Sequence, residues 1–245
     1  MIHISQADGV QTWKLSFEPV NAIDPGLLDA MEAALGDAIG DPGVAVVVIT
    51  SGLRIFSAGA DAAWMGRIVR EKGSDALLAA FNQTMDRFRD ICLRMRRSDL
   101  LFLAAINGHA LAGGLELAAA CDLRWVADNE RLQLGAPEMK LFGVLPSGGG
   151  GSQFLARLLG PARALQFLLE AESVGPAAAL RLGLVERVCP PGEIVQQAQA
   201  FGAKIAAKAG RIGVNAAKRS VLDASTLPVY EIGRASCRER VSNCV

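Results

Sequence analysis

Apolar and polar positions change period several times along the chain, and each change marks an element. Residues 11–17 (QTWKLSF) alternate, which predicts a strand with one buried face. Leu28, Met31, Leu35 and Ile39 then recur at helical spacing. Asp24-Pro25 supplies the start, because a carboxylate accepts from free amides and proline fits a first turn, and Gly40 supplies a stop. Val44–Thr50 (VAVVVIT) is a β-branched run, the pattern of a strand buried on both faces. SGLRIFSAGAD after it reads as a loop. A longer helix is expected from near Ser74, with Leu78, Phe81, Met85, Phe88, Cys92 and Met95 packing into the core. Arg94, Arg96 and Arg97 read as its solvated end, where positive charge suits the helix dipole.

Leu101–Ile106 predicts a second buried strand, NGHALAGG a loop, GLELAAA a helix and Asp122–Val126 a further strand. Beyond Pro146 the pattern is helical, over 153–159, 161–169, 176–182, 194–209 and 214–224. Strands alternating with helices, then helices alone, predict an α/β fold with a helical C-terminal part. No internal repeat or linker-like stretch divides it.

Composition narrows the partners. With 245 residues, 51% of them hydrophobic, and a formal net charge of zero, the chain can bury a sizeable core and shows no nucleic-acid footprint. The N-terminus lacks a basic stretch followed by an apolar run, so no signal peptide is expected. The longest uncharged stretch, Leu100–Leu115, contains Asn107, Gly108, His109, Gly113 and Gly114 and makes a poor membrane span. Five cysteines without a CxxC, and only His3 and His109 as histidines, argue against zinc and fit a reducing cytoplasm. Residues 232–245 (IGRASCRERVSNCV) break from the Ala/Leu/Val-rich body and resemble a translated sequencing adapter. They are expected to be a non-native tail.

Several motifs are excluded. There is no GxxxxGK[ST] and no GxSxG. Ser147–Ser152 (SGGGGS) lacks a phosphate lysine and reads as a flexible turn before a helix. A lone His109 in an apolar loop reads as structural.

Candidate chemistry lies in two glycine-containing loops that follow buried strands, Ser57-Ala58-Gly59-Ala60-Asp61 and Ala112-Gly113-Gly114. Glycine admits close approach, and a loop opening a helix presents unpaired N–H groups, so two such loops can offer two donors to one oxyanion. Glu116 stands in an apolar helix start, where a carboxylate is costly. A helix-start glutamate stabilised by the dipole explains it equally well. Glu138 after Pro137 reads, alone, as a surface-loop residue. Together the two carboxylates can form a general acid/base pair.

FSAGAD, NGHALAGGLELAAACDLRWVADN, LGAPEMKLFGVLPSGGGGSQFLARLLG and AAALRLGLVERV resemble the enoyl-CoA hydratase/isomerase (crotonase) superfamily over about residues 10–225. The resemblance implies a spiral of ββα units with a helical C-terminal trimerisation region, assembled as a homotrimer or hexamer. It implies an acyl-CoA substrate and no separate cofactor, since coenzyme A is part of the substrate. It places oxyanion donors at the N–H of Ala60 and Gly113, and the water-handling pair at Glu116 and Glu138. Ala22, Arg54, Ala58, Gly59, Asp61, Ala112, Gly114 and Pro137 are implied to line the substrate cleft, with Arg54 near the coenzyme A phosphates. The resulting division is a catalytic core over 1–190, a truncated helical region over 191–231 and the tail over 232–245. Retention of both glutamates favours hydration. Double-bond isomerisation through Glu138 and a non-enzymatic acyl-CoA-binding scaffold are the alternatives. Three departures from the family pattern are Ala112 in place of a first glycine, a spacing between the glutamates about two residues longer, and the expected absence beyond about Glu231 of the C-terminal helices that in the family help cover the acyl pocket.

Overall fold

The structure is a computed structural model that describes residues 1–143 and 148–223, apart from the side chains of Phe142 and Asp223. The chain opens with an antiparallel hairpin, β1 (Ile2–Ala7) and β2 (Val10–Leu15), turned at Asp8 and Gly9, both at positive φ (51° and 76°) as a tight hairpin turn demands. Only β2 was legible in the sequence, because β1 is an edge strand with mostly exposed residues. Helix α1 (Pro25–Gly40) starts where expected, with the Asp24 carboxylate accepting from Leu27 N at 2.8 Å.

Three ββα units follow. The first is β3 (Val46–Ser51), β4 (Ile55–Ser57) and α2 (Ala62–Lys72), after which α3 (Ser74–Arg97) returns. The second is β5 (Leu101–Ile106), β6 (His109–Leu111) and α4 (Gly113–Ala120). The third is β7 (Leu123–Ala127), β8 (Leu134–Gly135) and α5 (Glu138–Phe142). The first strand of each unit enters a six-stranded sheet of order β1-β2-β3-β5-β7-β9, and the second enters a three-stranded sheet β4-β6-β8. Apart from the opening hairpin every pairing between these strands is parallel, and Leu134 of β8 also makes an antiparallel bridge to Val174. This is the expected spiral of ββα units. The short strands of the smaller sheet escaped the sequence reading, which took their residues as loop. Helix α2 escaped it too; it buries none of its residues fully.

The helical half comprises α6 (Gly151–Leu159), α7 (Pro161–Glu170), α8 (Pro176–Leu182), the short strand β9 (Arg187–Cys189) and α9 (Ile194–Asp223). Helix α9 breaks at Gly210 (φ 57°, ψ −175°), between the two helices expected there. Two cations fasten it to the core. Lys218 Nζ donates to the Met95 and Leu100 carbonyls, each at 2.8 Å, and pairs with Asp122 at 2.9 Å. Arg211 pairs with Asp99 and donates to the Ile39 and Asp41 carbonyls. The suggested tail and the end of the second C-terminal helix lie outside the described residues.

Two expectations are corrected. The apolar stripe of α3 is buried only toward its C-terminal half, at Phe88, Cys92 and Met95; Leu78 is 62% exposed, and Phe81 and Met85 are half-buried. The arginine end of that helix is not simply solvated, because half-buried Arg96 lies over the Phe154 ring, 5.2 Å from its centroid.

Candidate active site

The ends of β4, β6 and β8 bring three segments together. The first is held by a clamp around Asn21, which is fully buried at φ 48°. Its amide donates to Ser51 Oγ and to the Ile55 and Phe56 carbonyls, while its own carbonyl accepts from Ser57 Oγ at 2.8 Å. Ala58 N donates to Val20 O, Ile23 N to Gly59 O and Asp61 N to Ile23 O. Half-buried Ala22 sits inside this clamp. Ile23 pairs with Ala60 in a parallel bridge whose hydrogen bonds run through Gly59 O and Asp61 N, so the Ala60 N–H takes part in none of the described backbone hydrogen bonds. Asp61 caps α2, accepting from Trp64 N at 2.9 Å.

The second segment turns at Ala112, whose φ of 52° and ψ of −126° are strained for a residue with a Cβ, at a cost of about 1–3 kcal/mol. The turn is held by Ala112 N donating to Gly135 O, and the Ala112 carbonyl accepts from Leu115 N and Glu116 N. Gly113 N, at the first position of α4, is left without a described backbone acceptor. The two loops touch: a Cβ on Gly59 would lie 2.7 Å from Ala112 Cβ and 2.8 Å from Gly113 N. Glycine at 59 therefore keeps the Gly113 N–H open. Gly114 has a different reason, since a Cβ there would collide with the Ser57 carbonyl, so it serves the packing of α4 on β4.

Every residue of α4 is buried, and Glu116 is 5% exposed. Its Oε2 accepts from Gly149 N and Gly151 N, each at 2.8 Å. Burial raises its carboxyl above the ordinary value, and the N–H groups of Gly151, Gly149 and Gly150 oppose that rise. A Cβ on Gly151 would fall 2.6 Å from Glu116 Cγ. The glycine run read as a flexible turn is thus the cradle of Glu116. The signal that could have found it was the run itself, since consecutive glycines before a helix allow close backbone approach.

Glu138 opens α5 behind Pro137 and is half-buried, not a free surface-loop residue. Its Oε2 is buried and has no hydrogen-bond partner among the described residues. Burial pushes its carboxyl up to about 7, its own backbone N–H opposes this, and the nearby charge of Glu116 adds to the rise. The site thus joins Glu116 and Glu138 electrostatically and the loops of Ala60 and Gly113 by contact. Arg54 stands apart, exposed on the turn between β3 and β4. His109 is structural as read, its Nδ1 accepting from Gln133 N at 3.1 Å. Among the described residues no group of His, Cys, Asp or Glu could hold a metal ion.

Comparison with known proteins agrees with this fold. The profile described as enoyl-CoA hydratase/isomerase matches residues 6–235. A probable enoyl-CoA hydratase of Mycobacterium bovis is 34% identical over 206 residues, covering 83% of this chain and 75% of the relative. A crotonyl-CoA hydratase of Syntrophomonas wolfei is 34% identical over 200 residues, covering 81% and 72%. A crystal structure of an enoyl-CoA hydratase from Bacillus anthracis superposes with a TM-score of 0.87 at 26% identity, covering 98% of this chain and 91% of that one. With its spiral of ββα units and a profile match over nearly its whole length, the chain belongs to the enoyl-CoA hydratase/isomerase family.

Proposed function

We propose that the protein is a hydro-lyase that adds water across the 2,3 double bond of an acyl-CoA thioester. One observation carries this reading: two neighbouring carboxylates have opposite surroundings, beside two loops with unused N–H groups. The thioester oxygen accepts from Ala60 N–H and Gly113 N–H, which stabilises the enolate-like transition state. Glu116, with Oε2 tied to two amides, takes a proton from water through its other oxygen as the water oxygen bonds to Cβ. Glu138, whose carboxyl burial raises to about 7, delivers its proton to Cα. Solvent exchange then restores both groups.

Ala22, Arg54, Ala58, Asp61, Ala112 and Pro137 line the path of the coenzyme A moiety in this reading, with Arg54 addressing its phosphates. The working assembly is a homotrimer or hexamer in the cytoplasm. Among the described residues no helix is long and apolar enough to cross a membrane. The test is a parallel assay of the purified protein on 2-enoyl-CoA and 3-enoyl-CoA substrates. Hydration of the former should dominate. Turnover confined to 3-enoyl-CoA would assign isomerisation instead, and saturable binding without turnover a scaffold.

A further inference from the structure

Behind the carboxylates, one face of α3 packs against the glycines of the site. A Cβ on Gly148 would lie 2.4 Å from Met85 Sδ. One on Gly149 would lie 2.4 Å from Phe88 Cε1, 2.8 Å from its Cζ and 3.0 Å from its Cδ1. The edge of the Phe88 ring therefore fills the place of a Gly149 side chain. The same edge reaches the other half of the site, since Phe88 Cε1 stands 3.7 Å from the Cβ position of Gly113. Ile23 Cδ1 backs Gly113 more closely, at 2.6 Å from that position, but the Phe88 ring is the contact that both glycines share.

The two glycines have different tasks. Gly149 N donates to Glu116 Oε2 at 2.8 Å, and Gly113 N is the open donor at the start of α4. Phe88 is fully buried and its side chain carries no polar atom, so it acts on either glycine only through shape. Its own place is fixed from the far side of α3. Neighbouring Arg87 donates to Asp29 Oδ1 at 2.6 Å and to Glu32 Oε1 and Oε2 at 3.1 and 2.9 Å, which ties α3 to α1. Close packing transmits such a constraint, because a protein interior leaves few voids into which backbone can retreat.

We propose that Phe88 is a positioning residue that sets Glu116 against the oxyanion donor: its ring braces Gly149, which holds Glu116, with the same edge that backs Gly113. It acts through the two glycines and not on the reacting atoms. The proposal rests on the roles given above to Glu116 and Gly113.

Two variants approach the contact from opposite sides. Phe88→Leu withdraws the ring edge. Gly149→Ala, at a backbone position outside the positive-φ region, drives a methyl group into it. Each should move the Glu116 carboxyl midpoint, read by carbon-13 NMR, to higher pH by about half a unit or more, because a displaced Gly149 N–H no longer opposes the effect of burial. The titratable neighbours Glu138 and Cys92 are the same in every variant. Each variant should also lower kcat for hydration roughly tenfold, with KM within about twofold. In Phe88→Leu/Gly149→Ala the new methyl group occupies the space that the ring vacates, so midpoint and kcat should recover most of the way. Loss of stability alone would not produce that recovery. A midpoint unmoved in both single variants, or a double variant whose effects merely add, overturns the proposal. If Phe88→Leu does not fold, the midpoint in Gly149→Ala decides by itself. The midpoint needs no substrate. A shift that the double variant restores, in a protein that hydrates no enoyl-CoA, keeps this positioning role and removes the hydratase reading instead.

Discussion

Glu116 and Glu138 are the same residue type in one site, yet they are built oppositely. Glu116 is the more deeply buried, inside a helix with no exposed residue, but two backbone N–H groups converge on one of its oxygens. Glu138 is less buried and has an oxygen with no partner among the described residues. Burial raises both carboxyls. At Glu116 the glycine amides oppose the rise, whereas at Glu138 the neighbouring negative charge adds to it and carries it to about 7. Depth alone therefore does not decide which carboxyl keeps a proton; hydrogen-bond supply does. The pair shares its titration, so the statement concerns where the proton of the pair resides.

The largest effects should come from deleting either carboxylate. Glu116→Gln should lower hydration by about 10²–10⁴-fold while leaving exchange of the substrate's α-proton detectable, because Glu138 remains. Glu138→Gln should damage both reactions. Full hydratase activity in Glu116→Gln would break the assignment of Glu116 as base.

Removing one oxyanion donor comes next. Gly113→Pro should cost about 10²–10³-fold in turnover on hydration and isomerisation substrates alike, provided circular dichroism shows a folded protein. Near-normal turnover in a folded variant would place the thioester oxygen elsewhere.

Gly151→Ala attacks the comparison from the side of the cradle. Its backbone is not at positive φ, so alanine fits locally, yet its Cβ would press on Glu116 Cγ. Turnover should fall roughly tenfold or more, because small displacements of a catalytic group are costly, while circular dichroism stays unchanged. Unaltered kinetics would mean that the cradle does not position Glu116.

The smallest effect is on stability. A carboxyl whose folded value is raised favours the fold while protonated, and that contribution is lost as pH rises from its ordinary value of 4.5 through about 7. Glu138→Gln should therefore melt higher than the unaltered protein at pH 8, with the gap closing toward pH 4.5. A gap independent of pH would show that Glu138 does not titrate in this way.

Much of the large sheet was legible because its strands are long and apolar and its helices carry clear starts, as at Asp24-Pro25. The β4-β6-β8 sheet was not, since strands of two or three residues leave no period to read. Pattern offered both glycine loops and Glu116 as candidates, and resemblance gave Glu116 and Glu138 their roles. The environment of Glu138 was hidden because its burial depends on packing across sequence-distant elements. The glycine cradle was hidden because Gly149 and Gly151 meet Glu116 across more than thirty residues of chain. The half-exposed stripe of α3 shows the opposite error, in which a helical period was taken as proof of core contact.

The most direct test of this account is a carbon-13 NMR titration of the glutamate side-chain carboxyls, assigned by Glu116→Gln and Glu138→Gln. The account predicts that the Glu138 carboxyl takes its proton near pH 7 while Glu116 remains ionised to lower pH, and that removing the Glu116 charge lowers the Glu138 midpoint. A Glu138 midpoint near 4.5, or a Glu116 that protonates first as pH falls, would contradict it.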